Sequence, residues 1–460
     1  GLRNSALPLW KRAMQQPENF KKGLQMMSEQ GLAKTWSFVN SKLESGNAVG
    51  YSAAGRVIEV GAGVQGFEVN DLVACAGAGY ASHAEFIRVP QNLLVKVPQG
   101  VETQEASTVT LGAIALPGVR RDQPTLGETF VVVGMGILGQ LTAQLLRING
   151  CRVIGIDLDQ QRLDMAKQLG MDVGLHPQRE EPLENIFQLT EGYGADGVII
   201  TAASPSDDII SAAFKYCRKK GRVVLVGDVG LNLNRADFYQ KELDFFISTS
   251  YGPGRYDAKY EEEGLDYPIG YVRWTENRNM GEYLRLVGEG RIHLKPLIQS
   301  TFKIDEATVA YESLGREGSK PLMVLLEYDK GGNKTQLRRR VMIPSSSIKK
   351  IDKQLGVAVV GAGGFAKGMH LPNLSKLSSQ FQLKGVMSHT GHNAMSIAKQ
   401  YGAQYGTTDY KEVLSDEEVD VVIVATRHNL HCEMVLAALK AGKHILVEKP
   451  LALSSTELKQ

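Results

Sequence analysis

The spacing of apolar positions changes several times along the chain. Residues 5–44 carry apolar side chains at helical spacing, which predicts two short helices interrupted near Pro17. From Gly55 the period falls towards two, and GRVIEVGAG, DLVACAG, HAEFIRVP and LLVKVP read as short strands bounded by Gly and Pro. After Leu126 strands alternate with helices, the pattern of a parallel sheet. Those strands are TFVVVG, RVIGID, DGVIIT and RVVLVG, with helices beginning near Leu138, Gln160 and Asp207. FFISTSYG and PLMVLLEY follow as strands, the second after a helix over 305–314. The polar stretch 328–350 has the Gly, Ser and charge content of a linker. Beyond it a second alternating series begins: GVAVVG, QLKGVM, VDVVIVAT and HILVE.

A chain of 460 residues is too long for one core and suggests two or three domains. Hydrophobic content of 43% and charged content of 22% are ordinary for a soluble globular protein. The formal net charge of +2 gives no reason to expect a nucleic-acid or anionic-membrane partner. The basic run Arg338-Arg339-Arg340 reads as a solvated linker face. No stretch approaches the roughly 18 uncharged apolar residues needed to span a bilayer. Cys75, Cys151, Cys217 and Cys432 lie far apart, which is neither a disulfide framework nor a zinc ribbon, so a reducing cytoplasm is the default. The chain begins at Gly1 without Met, which leaves a targeting segment open.

Two glycine-rich turns carry most of the chemistry. VVVGMGILGQ places Gly134-x-Gly136-x-x-Gly139 after a strand and at the start of a helix, with Ile137 and Leu138 between the glycines. The first Gly permits the tight turn, the second lets backbone approach a pyrophosphate, and the third allows close helix–strand packing. RVIGID ends in Asp157, where a carboxylate can accept from an adenosine ribose hydroxyl and would repel a 2′-phosphate. That predicts NAD(H) ahead of NADP(H). GVAVVGAGGFAKG repeats the logic with Gly361, Gly363, Gly364, Phe365 and Ala366. Its second strand ends in Met387-Ser388-His389-Thr390 with no carboxylate, and Ser388 leaves NAD or NADP open there.

From Gly50 to about Tyr328 the chain resembles the medium-chain dehydrogenase/reductase superfamily. The carrying residues are GYSAAGRVIEVGAGVQGFEVNDLVA, VVVGMGILGQ, GIDLDQQRLDMAKQLG, GYGADGVII and KKGRVVLVGDVG. The resemblance implies a GroES-like β domain from residues before about 115 and after about 295, with a Rossmann domain inserted. Zinc members of the family read Gly-His-Glu-x-x-Gly where this chain reads GYSAAG, so Tyr51 stands at the place of a zinc-binding His and Ser52 at that of the Glu. The four-Cys structural lobe is replaced by CAGAGYASHAEF, and the family's first zinc-binding Cys falls before residue 1. A three-ligand zinc site needs its His, so this half is expected to work without zinc. A hydrogen-bond donor must then polarise the reacting oxygen, and Tyr51 and His83 are the candidates. Each has an ordinary alternative, a packed ring for Tyr51 and a surface or core histidine for His83.

From Leu355 onward the chain resembles the N-terminal half of the Gfo/Idh/MocA family, on VVGAGGFAKGMHLPNL, TTDYKEVLSDEEVDVVIVAT and HNLHCEMVLAALKAGKHILVEKPLAL. The resemblance implies that the lysine of Glu448-Lys449-Pro450 contacts the reacting hydroxyl and the nicotinamide region, that Glu448 lies at the cofactor, and that His431 matches a family His. Thr426-Arg427-His428 departs from the family's Thr-Pro-Asn.

The expected organisation is α/β: a helical segment over 1–45, a GroES-like domain over 46–120 and 296–328, and a first Rossmann domain over 121–295. A linker over 329–353 and a second, truncated Rossmann domain over 354–460 complete it. The 460 residues read as a fragment of a bi-domain oxidoreductase. The fusion, often associated with surface-polysaccharide genes, implies nicotinamide-dependent chemistry on a hydroxyl or carbonyl of a sugar or nucleotide-sugar. The competing expectation is a dinucleotide-binding sensor or scaffold without turnover. A homo-oligomer is expected. Residues 251–280 form a longer connection than usual, rich in Tyr, Arg and Gly. Arg255, Tyr256, Tyr267, Arg273 and Trp274 could there grip a phosphate or sugar, or the segment could serve as a packing arm or oligomer contact.

Overall fold

The computed structural model describes residues 49–315, 320–329, 339–343 and 354–460, in two compact units of residues 49–329 and 339–460. The helices expected over 5–44 lie outside the described residues.

The first unit opens with a three-stranded antiparallel sheet, β1 (Ser52–Arg56), β2 (Leu72–Ala76) and β3 (Leu94–Lys96). Two expectations for this region change. β1 begins at Ser52 and ends at Arg56, because Val57 exchanges backbone hydrogen bonds with Asp71 and Asn70 and turns the chain back towards β2. HAEFIRVP forms no strand. Its alternation is real, but it pairs with neither edge strand, β1 or β3, of the three-stranded sheet.

The strands that follow are β4 (Thr129–Val133), β5 (Arg152–Ile156), β6 (Val173–Leu175), β7 (Ala195–Ile200), the short β8 (Ala203–Ser204), β9 (Cys217–Leu225), the short β10 (Asp228–Val229) and β11 (Asp244–Ile247). Six of them form one parallel sheet in the order β6-β5-β4-β7-β9-β11, while β8 pairs with β10. This is the doubly wound order, with its switch point between β4 and β7. The strands read as near-continuous apolar runs because helices cover both faces. Val131, Val132, Val198, Ile199, Val223 and Val224 are fully buried, each contributing ~1.5–3 kcal/mol of burial.

The helix Val109–Asp122 packs on the helix Glu276–Gly288 through Gly112. A Cβ on Gly112 would meet the Tyr283 ring at 2.1 Å, and Tyr283 ends its hydroxyl 2.7 Å from Thr108 Oγ1. Parallel β12 (Ile298–Lys303) and β13 (Met323–Glu327), with the helix Ala307–Gly315 between them, close the unit.

The second unit holds one six-stranded sheet. Its strands are β14 (Arg340–Met342), β15 (Leu355–Val360), β16 (Phe381–Met387), β17 (Tyr405–Thr407), β18 (Val421–Val424) and β19 (His444–Val447), in the order β14-β17-β16-β15-β18-β19. All pairs are parallel except β14 with β17. β14 falls inside the stretch expected to be linker, and Arg340 explains its place. Its guanidinium lies 3.6 Å from the Tyr405 ring centroid and bonds Asp416 Oδ2 at 2.8 Å.

Candidate functional site

In the first unit the Gly134 turn leaves β4 at the switch point. Gly134 has φ +97°, and a Cβ there would meet Ala202 N at 2.7 Å. A Cβ on Gly139 would meet Gly134 O at 2.0 Å, so the helix Ile137–Ile148 can approach its strand only with glycine at that position. Gly136 has nothing within 4 Å of a built Cβ and caps the helix without a side chain, so backbone N–H groups face open space. Ile137 and Leu138 are half-buried at that N-terminus. Thr201 Oγ1, from the end of β7, donates to Gly134 O at 2.5 Å and fixes the turn from the neighbouring strand.

Asp157 follows β5. Its Oδ2 accepts from Met135 N at 2.6 Å and its Oδ1 from Asp159 N at 2.8 Å. A carboxylate has about four acceptor positions, so two remain for ribose hydroxyls. The same carboxylate therefore ties the second strand to the glycine turn.

Tyr51 and His83 meet through Gly50. Gly50 has φ +94°, and a Cβ on it would overlap His83 Cδ2 at 2.3 Å, so the imidazole packs directly on the turn that carries Tyr51. The Tyr51 carbonyl accepts from Thr110 Oγ1 at 3.0 Å and from Gly77 N at 3.1 Å. The Tyr51 residue is 43% exposed, while burial pushes its hydroxyl above the ordinary phenol range. His83 Nδ1 lies 2.7 Å from the hydroxyl of Tyr311 on the helix Ala307–Gly315. Burial holds the His83 imidazole below its usual range. Tyr311 was not found from the sequence: 228 residues separate it from His83, and a tyrosine on an amphipathic helix reads as core.

The donor set beside Tyr51 does not suit zinc. Ser52 Oγ donates to Ser107 O at 2.6 Å and accepts from Thr110 N at 3.2 Å. Cys75 is buried on β2, and desolvation pushes its thiol up to about 12. Among the described residues no group of three or more His, Cys, Asp or Glu is placed to hold a metal ion.

The segment 251–280 lies against the strand β3. Asn92 Nδ2 donates to Tyr260 O at 2.8 Å, and Asn277 Nδ2 donates to Asn92 O and Leu94 O at 2.9 and 2.8 Å. Arg255 is bonded to the buried Glu261 and lies over the Tyr256 ring, 4.2 Å from its centroid. Tyr267 donates to Asp257 Oδ2 and stacks on Tyr260. Trp274 has the Arg120 and Arg273 guanidinium groups 3.4 and 3.8 Å from its ring centroid. The charges and rings expected to grip a substrate are thus engaged with one another, with Tyr256 and Arg273 the exposed members. Beneath them Glu276 is fully buried, and neither carboxyl oxygen has a hydrogen-bond partner. Desolvation, with Glu261 nearby, pushes its carboxyl up to about 8.

The second unit repeats the turn at the switch between β15 and β18. Gly361 has φ +90°, and a Cβ there would meet Ala425 C and Thr426 N at 2.6 Å. Gly363 and Gly364 face open space, Phe365 is 54% exposed, and Ala366 is buried. A π-helical turn, Ala366–His370, follows, a rare geometry found mostly at functional sites. It carries two side chains the sequence reading passed over within GGFAKGMHLP. Lys367 Nζ donates to Asn393 Oδ1 at 3.0 Å, and His370 Nε2 lies 2.8 Å from Glu448 Oε1.

Ser388 Oγ accepts from Asn393 Nδ2 at 2.7 Å. Lys449 follows β19, is exposed, and has no hydrogen-bond partner among the described residues. His431 is fully buried, with Nδ1 2.8 Å from Pro450 O and Nε2 3.1 Å from Thr426 O. Both its ring nitrogens lie within hydrogen-bond distance of main-chain carbonyls, and a neutral ring donates to one of them. It brackets the Lys449 turn against the Thr426 loop and has no free nitrogen to offer a substrate.

Residues 138–263 match the family model described as zinc-binding dehydrogenase, and residues 355–460 match the oxidoreductase family with an NAD-binding Rossmann fold (GFO_IDH_MocA). Two separate segments of the chain thus match oxidoreductase family models, one of zinc-binding dehydrogenases and one of an NAD-binding Rossmann family. The sorbitol dehydrogenase of Halalkalibacterium halodurans is 26% identical over 315 residues, covering 60% of this chain and 82% of that protein. The D-guloside 3-dehydrogenase of Shigella flexneri is 29% identical over 278 residues, covering 59% and 73%. The fold also matches an Escherichia coli oxidoreductase/dehydrogenase of unknown specificity, with a TM-score of 0.52 at 19% identity over 61% of this chain and 82% of that one. No helix among the described residues is long and apolar enough to cross a membrane.

Proposed function

We propose that the first unit interconverts a secondary hydroxyl and its carbonyl on a sugar-like polyol with NAD(H), and that it does so without zinc. The carrying observation is the His83–Tyr311 pair packed on the Gly50 turn, next to Tyr51 at the position of the zinc-binding His, in the same unit as an open glycine turn with Asp157 beside it. Sorbitol and D-guloside, in the names of two relatives, are both polyhydroxylated, which supports a sugar-like substrate. The fusion itself supports a role in surface-polysaccharide synthesis.

The bound nicotinamide supplies the hydride acceptor. With a nicotinamide held at the Gly134 turn and Asp157, oxidation of the hydroxyl carbon would deliver its hydride to the ring, and the protein takes the hydroxyl proton. The Tyr51 hydroxyl donates a hydrogen bond to the reacting oxygen, lowering the cost of the alkoxide. His83, held below its usual range and so neutral near pH 7, has Nδ1 tied to Tyr311 and Nε2 beside Gly50, and it takes or returns the proton. In the second unit the same duty falls to Lys449, an exposed cation at the mouth of the sheet. Two such units in one chain support two linked redox steps.

The test is turnover of a panel of polyols and sugar acids with NAD+, alongside elemental analysis. Tyr51→Phe and His83→Gln should each lower turnover by ~100-fold while NADH binding holds, the scale for removal of an oriented donor. One tightly held zinc per chain would overturn the zinc-free reading. Nucleotide binding without turnover of any polyol or sugar would favour a sensor.

A further inference from the structure

The two units differ at the place where a dinucleotide's adenosine ribose sits, just past the second strand of each sheet. In the first unit that place holds Asp157. In the second it holds Ser388, and behind Ser388 stands a cation the strand itself does not supply. Asn393, in the first turn of the helix Gly391–Gln400, is the link. Its Nδ2 donates to Ser388 Oγ at 2.7 Å and to Ala362 O at 3.0 Å, and its Oδ1 accepts from Lys367 Nζ at 3.0 Å. The glycine turn, the strand end and the next helix are thereby joined around one ammonium group.

That ammonium has no carboxylate partner among the described residues. Partial burial alone holds it below the usual lysine range, with no acidic group opposing the shift. The acids that follow the adjacent strand β17 are engaged elsewhere. Glu412 accepts from Thr407 Oγ1, and Asp409 accepts from Lys411 N and lies 3.8 Å from Arg339. A half-buried lysine bonded only to an amide oxygen is incompletely compensated, and a doubly charged oxyanion supplies what is missing. Elsewhere in this unit a buried lysine is paired: Lys384 donates to Glu418 at 2.7 Å.

We propose that the second unit takes NADP(H), its adenosine 2′-phosphate held by the Lys367 ammonium and the Ser388 hydroxyl, both of which Asn393 positions. This rests on the reading of that unit as a nicotinamide-nucleotide site. The chain would then draw on both nucleotide pools, NAD(H) at Asp157 and NADP(H) at Lys367. The π-helical turn links recognition to chemistry, since it sends Lys367 towards the ribose and His370 towards Glu448, the neighbour of Lys449.

Calorimetric titration of the full chain with 2′,5′-ADP and with 5′-AMP tests this. One equivalent of 2′,5′-ADP should bind at least ten times more tightly than 5′-AMP, and 5′-AMP should occupy two sites per chain. Lys367→Met should weaken 2′,5′-ADP by ~10–100-fold, the range for loss of a charged hydrogen bond, and leave 5′-AMP unchanged. The unchanged 5′-AMP isotherm reports that the variant is folded, and Lys367→Arg should retain most of the 2′,5′-ADP affinity. If 2′,5′-ADP binds no more tightly than 5′-AMP, or is indifferent to Lys367→Met, the inference fails while the nucleotide site stands. If only one 5′-AMP binds per chain and Gly136→Trp abolishes it, the second unit binds no nucleotide and both readings fail.

Discussion

The chain contains the same parallel βαβ arrangement twice, and the two copies handle buried charge differently. In the first unit Asp157 is bonded to the backbone of its own glycine turn, and Glu276 is fully buried with neither oxygen bonded. In the second unit Lys384 is paired with Glu418, while Lys367 is bonded only to an amide. The backbone scaffold is shared because both sheets place a tight glycine turn at the switch point. Which nucleotide binds, and which group steadies the reacting oxygen, depend on side chains arriving from neighbouring helices and loops. A shared fold therefore carries no shared specificity.

Lys449 offers the largest contrast with the Tyr51–His83 arrangement of the first unit. Lys449→Met keeps the stem's packing and removes the donor, so turnover at the second site should fall by ~100-fold or more. Nucleotide binding should barely change, because the Gly361 turn holds the pyrophosphate. Near-normal turnover of every second-site substrate would reduce Lys449 to a turn residue and assign the second site's donor to another group.

Asp157→Ser makes the first unit resemble the second at the ribose. The preference for NADH over NADPH there should narrow by ~1.5–3 kcal/mol, the worth of a charged hydrogen bond. Because Asp157 also accepts from Met135 N, a smaller loss in affinity for both nucleotides should accompany the change. A ratio of dissociation constants that does not move would remove Asp157 from ribose recognition and erase the contrast.

The last contrast is one of stability rather than of turnover and concerns Glu276. Its carboxyl is raised from 4.5 to about 8 in the fold, chiefly by desolvation. A raised carboxyl favours folding fully at pH values below its unfolded pKa, and that contribution is lost as pH climbs through the folded value. Stability should therefore decline between about pH 4.5 and pH 8 and level off above. Glu276→Gln keeps the shape without the charge, so its advantage over the parent should be absent at pH 4.5 and greatest above pH 8. A shift of ~2–4 °C in melting temperature for each kcal/mol is the expected scale. A gap between variant and parent that is the same at pH 5 and pH 9 would mean that Glu276 has a partner in solution and that the first unit's burial is as well compensated as the second's.

Both Rossmann sheets were legible in the sequence. Their strands are long apolar runs punctuated by glycine turns, and burial on two faces leaves no other way to write them. Of the strands in these two sheets, β6, β14 and β17 escaped notice, with three residues each, too few for a period to register; outside them the six-residue β12 was also missed. HAEFIRVP shows the opposite error, an alternation with no neighbour to pair with. The turns at Gly134, Gly139 and Gly361 were readable because they rest on backbone conformation and fixed spacing within one βαβ unit.

What the sequence determined by itself is therefore local. It specifies where the chain can turn with positive φ, where a helix can approach a strand, and which end of a strand carries an acid. The tertiary structure decided everything that depends on distant segments meeting. Tyr311 reaches His83 across 228 residues, and Lys367 reaches Asn393 across 26. His431, which matched a family residue by position, is enclosed by the carbonyls of Thr426 and Pro450. Arg255 and Trp274, exposed in prospect, are engaged by Glu261, Arg120 and Arg273. A side chain's chemistry depends on what desolvates it and what bonds it, and sequence spacing reports neither once the partner lies on another element.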